Sequence, residues 1–289
     1  MSAFDAAKHG ALSLACDAVR GLEALNAGLP GWQVDIAWQE RAQAETAQWQ
    51  QSVERVTAAT DVALPSDAQV LGAVNRAAPD DAVVVCAAGG LPGELHKLWR
   101  CARPNGYHVE YGYSCMGYEI AGGLGVAMAL PEREVFVLVG DGSYLMMNSE
   151  LATAVMLGRK LVVVVLDNSG FGCINRLQQS CGAGPFNNLL SDCEQGEEGL
   201  PSIDFAAHAR ALGAQAEAVS GIGALEQALE RARAARGCYV ITLATDPAPS
   251  TAEGGAWWEV AVPEVSSRES VTQARRDYLD NKRKQRRDA

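Results

Sequence analysis

The chain has 289 residues, a net charge of −11 and 48% apolar side chains, enough for one large domain or two ordinary ones around a real core. The acidic balance argues against generic binding to nucleic acid or to an anionic membrane, and no apolar run reaches the roughly 18 residues that a membrane-spanning helix needs. The N-terminus lacks a basic n-region and a clean apolar h-region, and the eight cysteines form no C-x-x-C pair, so they read as reduced, mostly buried thiols of a cytoplasmic protein.

Residues 1–62 are rich in Ala, Gln and Glu, with helical spacing and no strand signal. "AETAQWQQSVERVTAAT" predicts a helix and "GLPGW" (28–32) a break, so this zone reads as a connector, the tail of a preceding domain. From 63 to 250 the pattern alternates. "DAQVLGAVNRAA" predicts a helix, "AVVVCAA" (82–88) a buried strand, and "GELHKLWRCA" a helix after Gly-Gly. "YHVEY" is a short strand, "MGYEIAGGLGVAMAL" a closely packed small-residue helix, "EVFVLVG" (134–140) a strand and "NSELATAVMLG" a helix. "KLVVVVLDN", "DFAAHARALG", "AQAEAVS", "IGALEQALERARAARG" and "CYVITLAT" continue as strand, helix, strand, helix, strand. Buried strands alternating with helices predict an α/β fold: a doubly wound, mostly parallel sheet with helices on both faces, binding ligands at the carboxyl ends of its strands. Residues 251–289 read as a loop and a terminal helix, packed back by Trp257 and Trp258, with a basic solvated tail.

Two polar residues stand at strand ends. Asp141 follows "FVLVG" and Asn168 ends "LVVVVLDN", 27 positions later, about one strand-helix-strand unit. A right-handed crossover brings such strands close together, so a carboxylate and a carboxamide oxygen converge. Oxygen donors suit a hard cation such as magnesium or calcium. Gly142 frees the backbone, and Ser143 is expected to begin a helix whose first amides favour phosphate. Taken singly, Asp-Gly and Asn-Ser-Gly are ordinary turns; together, in register, they describe a metal–diphosphate site. A nicotinamide site needs G-x-G-x-x-G after a strand: "GDGSYL" has no third glycine, and "AGGLGVA" follows no strand. No G-x-x-x-x-G-K-[ST] phosphate loop occurs.

"GDG", 24 residues and then "DN" resembles the signature of the thiamine-diphosphate enzyme family. The resemblance implies thiamine diphosphate and Mg2+ as cofactors, with the metal on Asp141, Asn168 and the carbonyl of Gly170. It implies further cofactor contacts from "AAGGL" (Gly89, Gly90, Leu91), from "SCMG" (Ser114 and Met116, the latter under the bent cofactor) and from Gly140, Gly142, Ser143 and Phe171. "GGLPGELHKLW", "PNGYHVEYGYSCMGYEI" and "GAWWEV" are similar to a narrower group, the hydrolases that open a cyclic polyol dione by carbon–carbon cleavage. Family members are about twice this length, and their activating glutamate lies in a pyrimidine-binding domain that has no counterpart here. That half is then expected from the rest of a longer protein or from another subunit, in a homodimer or homotetramer. Ile174 stands where pyruvate-type decarboxylases carry a catalytic glutamate. An acetolactate-synthase-like carboligase and an inactive cofactor-binding fragment stay open as alternatives. His108 and Glu110, with Tyr111, are the candidate catalytic and substrate contacts; His96 and His208 read as helix-surface residues, and 178–202 as a lid or an ordinary long loop.

Overall fold

The computed structural model of the chain describes residues 3–8, 10–193, 202–254 and 259–284. Three helices come first: α1 (Ala3–Lys8), α2 (Ala18–Gly28) and α3 (Ile36–Val56). Next come α4 (Asp67–Ala77), β1 (Val83–Cys86), α5 (Gly90–Leu98), β2 (Tyr107–Val109), α6 (Tyr118–Ala129), β3 (Val135–Gly140), α7 (Asp141–Met146), α8 (Glu150–Met156) and β4 (Val162–Asp167). The chain continues through α9 (Gly172–Ser180), α10 (Phe205–Ala211), β5 (Gln215–Val219), α11 (Gly221–Ala234), β6 (Tyr239–Ala244) and α12 (Glu269–Lys284). It divides into two compact units, Gln51–Gly255 and a smaller one that joins Met1–Gln50 with Ala256–Ala289.

The smaller unit is helical wherever it has regular structure among the described residues. Asp17 caps α2 by accepting from the Val19 and Arg20 amides, satisfying two of the orphan donors of a helix start. That helix buries none of its residues, and Leu22, Leu25 and Leu29 stand exposed.

The larger unit holds a six-stranded sheet in the order β2-β1-β3-β4-β6-β5, parallel throughout. Every residue of β1, and all but the last of β3, β4 and β6, is buried, as a sheet covered on both faces requires. This is why these strands read as continuous branched runs rather than alternations. β1 leads outward to β2, and α6 then carries the chain back to β3 on the other side of β1. The order reverses there, so the carboxyl ends of β1 and β3 open the crevice where such sheets bind ligands. One core layer joins Val85, Val137, Val139, Val163 and Val165 to Ile120 and Leu124 of α6, Tyr144 of α7 and Leu151 of α8.

Several elements differ from the sequence expectation. The helix after β3 begins at Asp141 rather than Ser143, and Met147, at φ −154° and ψ 72° outside the helical region, splits the segment into α7 and α8. α5 starts at Gly90 and stops at Leu98, short of the expected "WRCA". α9 occupies the start of the supposed loop, and a 3-10 turn, Leu190–Asp192, lies further along it. Only Cys86 and Cys238 are buried; Cys16, Cys101, Cys115 and Cys193 are exposed, because they lie in turns and connections rather than strands. Trp257, Trp258 and residues 194–201 lie outside the described residues.

α6 approaches β3 closely: a Cβ on Gly123 would lie 2.4 Å from Val137 Cγ2. Gly123→Ala is therefore expected to cost about 1–3 kcal/mol, read from a urea melt. An unchanged midpoint would contradict this packing.

Candidate functional site

Register sets Gly140 of β3 beside Leu166 of β4, so Asp141 and Asn168 emerge from neighbouring strand ends. Asp141 is 4% exposed, and its Oδ2 accepts from the Gly170 amide at 2.7 Å. Its other oxygen, Oδ1, is buried and meets no hydrogen-bond donor, and Asn168 Oδ1 is in the same position. Each such acceptor costs about 1–3 kcal/mol while unpaired. Burial pushes the Asp141 carboxyl up to about 7; the Gly170 amide opposes the rise, and the neighbouring Asp167 carboxylate adds to it. One buried carboxyl oxygen and one buried carboxamide oxygen form a donor set suited to a hard cation, whose charge would favour the ionised form of Asp141. Asp141 and Asn168 line the same cleft.

The turn beyond Asn168 is tightly packed and left-handed. Ser169 and Gly170 have φ of +60° and +143°, and a Cβ at Gly170 would lie 2.4 Å from the Asn188 carbonyl oxygen. Segment 188–190 pins this turn: Phe171 N–H donates to Asn188 O at 2.7 Å and Leu190 N–H to Ser169 O at 2.8 Å. Part of the segment 178–202, read from sequence as a lid or an ordinary long loop, is therefore tied to the turn after Asn168.

Below these oxygens lies a cleft of about 530 Å³, open solvent included. Its walls include Gly89, Gly90, Leu91, Met116, Gly140, Asp141, Gly142, Ser143, Asn168, Gly170 and Phe171, so all the expected cofactor residues but Ser114 line it. Gly89 has φ +84°, which a residue with a Cβ rarely adopts, and it turns the chain from β1 into α5. A Cβ on Gly142 would lie 2.6 Å from Phe171 Cε1, so the glycine lets that ring close the wall. Ser114, at φ +53°, is exposed in the preceding loop.

His108 and Glu110 do not line the cleft. His108 Nε2 is 2.6 Å from the Tyr118 hydroxyl. Glu110 accepts from the amides of Cys115 at 2.7 Å and Tyr113 at 3.2 Å; these amides hold its carboxyl below the usual range. His96 is a surface residue beside Tyr107, whereas His208 is half-buried with Nδ1 3.0 Å from the buried Tyr144 hydroxyl, so the surface reading of His208 is corrected.

Three participants were not anticipated. Asp67, at the start of α4, lines the cleft; burial pushes its carboxyl up to about 6, with the Arg176 guanidinium opposing the rise. Its neighbours "PS" and "AQ" signal only a helix start, and Ser66 and Gln69 do form a capping box there. Arg176 is the one cation among the lining residues; it donates to the Pro247 carbonyl. Glu119, 1% exposed, reaches Ser143 from the first turn of α6. Long-range contacts of this kind leave no local signal.

Because the folded state raises the Asp67 pKa, its stabilising contribution is complete below about pH 4 and is lost as pH rises through about 6. Asp67→Asn is expected to remove up to about 3 kcal/mol of that pH-dependent loss, seen by comparing denaturation midpoints across this range. Identical pH profiles would contradict the assignment.

Residues 87–243 match the family model of the C-terminal TPP-binding domain of thiamine pyrophosphate enzymes. A 3D-(3,5/4)-trihydroxycyclohexane-1,2-dione hydrolase from Geobacillus thermodenitrificans (strain NG80-2) is 39% identical over 308 residues, covering 97% of this chain and 48% of the relative. The enzyme of the same name from Bacillus subtilis (strain 168) is 42% identical over 216 residues, 75% of this chain and 33% of its own length. The chain thus spans about half the length, or less, of the curated relatives it matches. The thiamine diphosphate-dependent 4-hydroxybenzoylformate decarboxylase of Rhodococcus jostii RHA1 superposes with a TM-score of 0.58 at 24% identity, over 65% of this chain and 34% of that one, which supports the fold. The strand-end oxygens, the glycine-walled cleft and the matched segment lead to one conclusion: the chain belongs to the thiamine pyrophosphate enzyme family, as its C-terminal TPP-binding domain.

Proposed function

We propose that this chain is the diphosphate- and magnesium-binding half of a thiamine-diphosphate-dependent hydrolase that opens a trihydroxycyclohexane-1,2-dione by breaking a carbon–carbon bond. The observation that carries the proposal is the pair of buried, unpartnered oxygens, Asp141 Oδ1 and Asn168 Oδ1, at the cleft. Likeness to hydrolases of that name along nearly the whole chain supports the substrate class.

When bound, thiamine diphosphate supplies an electron sink for carbon–carbon cleavage. Asp141, Asn168 and the Gly170 carbonyl would hold Mg2+, and the backbone of Gly89, Gly90, Leu91, Gly142 and Ser143 would receive the diphosphate at close approach. Met116, Leu166, Phe171 and Ile174 offer apolar support to the wall of the cleft. Ile174 can move no proton, which disfavours pyruvate-type decarboxylation here. For His108 and Glu110 we propose roles in shaping the approach. Glu110 folds the loop that carries Met116 through its amide bonds, and His108 fixes Tyr118 at the start of α6.

The pyrimidine-binding half, with its activating glutamate, would come from the rest of a longer protein or from another subunit, in a homodimer or homotetramer. Among the described residues no helix is long and apolar enough to cross a membrane. We place the protein in the cytoplasm, in keeping with its free thiols.

Asp141→Ala is expected to reduce magnesium-dependent thiamine diphosphate binding at least a hundredfold in calorimetric titration, without lowering the melting temperature. Unchanged binding would sink the site. The isolated chain is expected to bind the cofactor weakly and to turn over no dione. Adding the missing half should restore turnover of the cyclic dione in preference to pyruvate, and preference for pyruvate would favour a carboligase.

A further inference from the structure

One buried carboxylate at this site serves neither the metal nor the diphosphate. Glu119 Oε1 accepts from the Ala88 amide at 3.4 Å and from the Ser143 hydroxyl at 2.7 Å. Its Oε2 lies 3.0 Å from the Gly117 amide and 2.8 Å from Ser143 Oγ. Ser143 Oγ accepts in turn from the Gly117 amide at 2.7 Å. The donors come from three separate segments: the turn after β1, the turn that carries Met116, and the first residues of α7.

A serine hydroxyl has one proton to give. That of Ser143 is directed to Glu119, so it is not available to a phosphate oxygen. Gly117, at φ +92°, presses the Met116 turn against the end of α7; a Cβ there would lie 2.7 Å from Met147 Cβ. The turn is thus held by close contact and by hydrogen bonds that converge on one carboxylate. Charge-assisted bonds of this kind are about twice as strong as neutral ones, and stronger still away from water.

We infer that Glu119 is a positioning residue. Together with Ser143 it latches the Met116 turn to the two loops that would cradle the diphosphate, and the Ser143 hydroxyl serves this latch rather than the phosphate. The inference rests on the reading of the cleft as a thiamine diphosphate site. The diphosphate loops are anchored independently, at the ends of β1 and β3 and by the Asp141–Gly170 bond. The latch instead sets where Met116 stands relative to them, and so acts on the thiazolium end of the ligand.

Two probes separate these contributions. Magnesium pyrophosphate engages the metal and the diphosphate loops alone, whereas magnesium thiamine diphosphate also needs the Met116 turn. The intact chain and its Ser143→Ala, Glu119→Ala and Glu119→Gln variants would each be titrated calorimetrically with both. Ser143→Ala and Glu119→Ala are expected to keep pyrophosphate affinity within about threefold and to lose about tenfold or more for thiamine diphosphate. Glu119→Gln keeps an acceptor for the Gly117 amide and should fall between. Equal losses for both ligands in Ser143→Ala would place its hydroxyl on the phosphate and overturn the inference. A folded Glu119→Ala with unchanged thiamine diphosphate affinity would also overturn it. Should Glu119→Ala fail to fold, Ser143→Ala and Glu119→Gln decide the matter through the ratio of the two affinities, which a general loss of stability does not move. If the unmodified chain binds neither ligand, the thiamine diphosphate reading itself fails, and the inference with it.

Discussion

Two oxygen atoms buried without a donor, Asp141 Oδ1 and Asn168 Oδ1, are the constraint on which the rest of the molecule depends. Each orphaned acceptor destabilises the fold while it stays unpaired. Here the fold supports both. Parallel pairing of β3 with β4 sets their strand ends side by side, and Val135–Val139 and Val162–Leu166 anchor those ends in a fully buried layer. The second oxygen of Asp141 is satisfied by the Gly170 amide, which fixes the carboxylate so that its free oxygen is presented rather than folded back. A cation at that point relieves a cost already present in the fold, and the same cation would hold a diphosphate against the glycine-lined wall.

The cleft is one side of a site. It is built from strand ends, turns and short helices of the larger unit, and Asp67, Asp141 and Arg176 are its charged lining residues. The chain spans about half the length of the curated relative that it matches over 97% of its own residues. Met146 and Met147 at the end of α7 and Ile174 on α9 are large apolar side chains that stand exposed.

Much of this was legible in the sequence, for physical reasons. Valine runs such as Val162–Val165 admit little besides a buried parallel strand, and the Gly and Asx residues after them mark strand ends where ligands bind. Asp141, Asn168 and the glycines around them could therefore be placed before any coordinates. The start of α7 was misplaced by two residues because Asp141 is both a metal-ligand candidate and the first helical residue, which no propensity distinguishes. Glu119 was invisible for a different reason. It sits in an ordinary helical turn, and its partners Ala88 and Ser143 are 31 and 24 residues away. Asp67 and Arg176 likewise meet the cleft only through the sheet's topology. His108 and Glu110 are near Met116 in sequence, but hydrogen bonds to Tyr118 and to loop amides engage them outside the cleft.

The central claim is that the unpartnered oxygens of Asp141 and Asn168 are metal ligands. Its most direct test is a crystal structure of this chain with Mn2+ in place of Mg2+ and with thiamine diphosphate, read from the anomalous signal of the metal. A peak within about 2–2.5 Å of both Asp141 Oδ1 and Asn168 Oδ1, in contact with the diphosphate, is the predicted result. Bound diphosphate with the metal elsewhere, or with those two oxygens still unpartnered, would contradict the account.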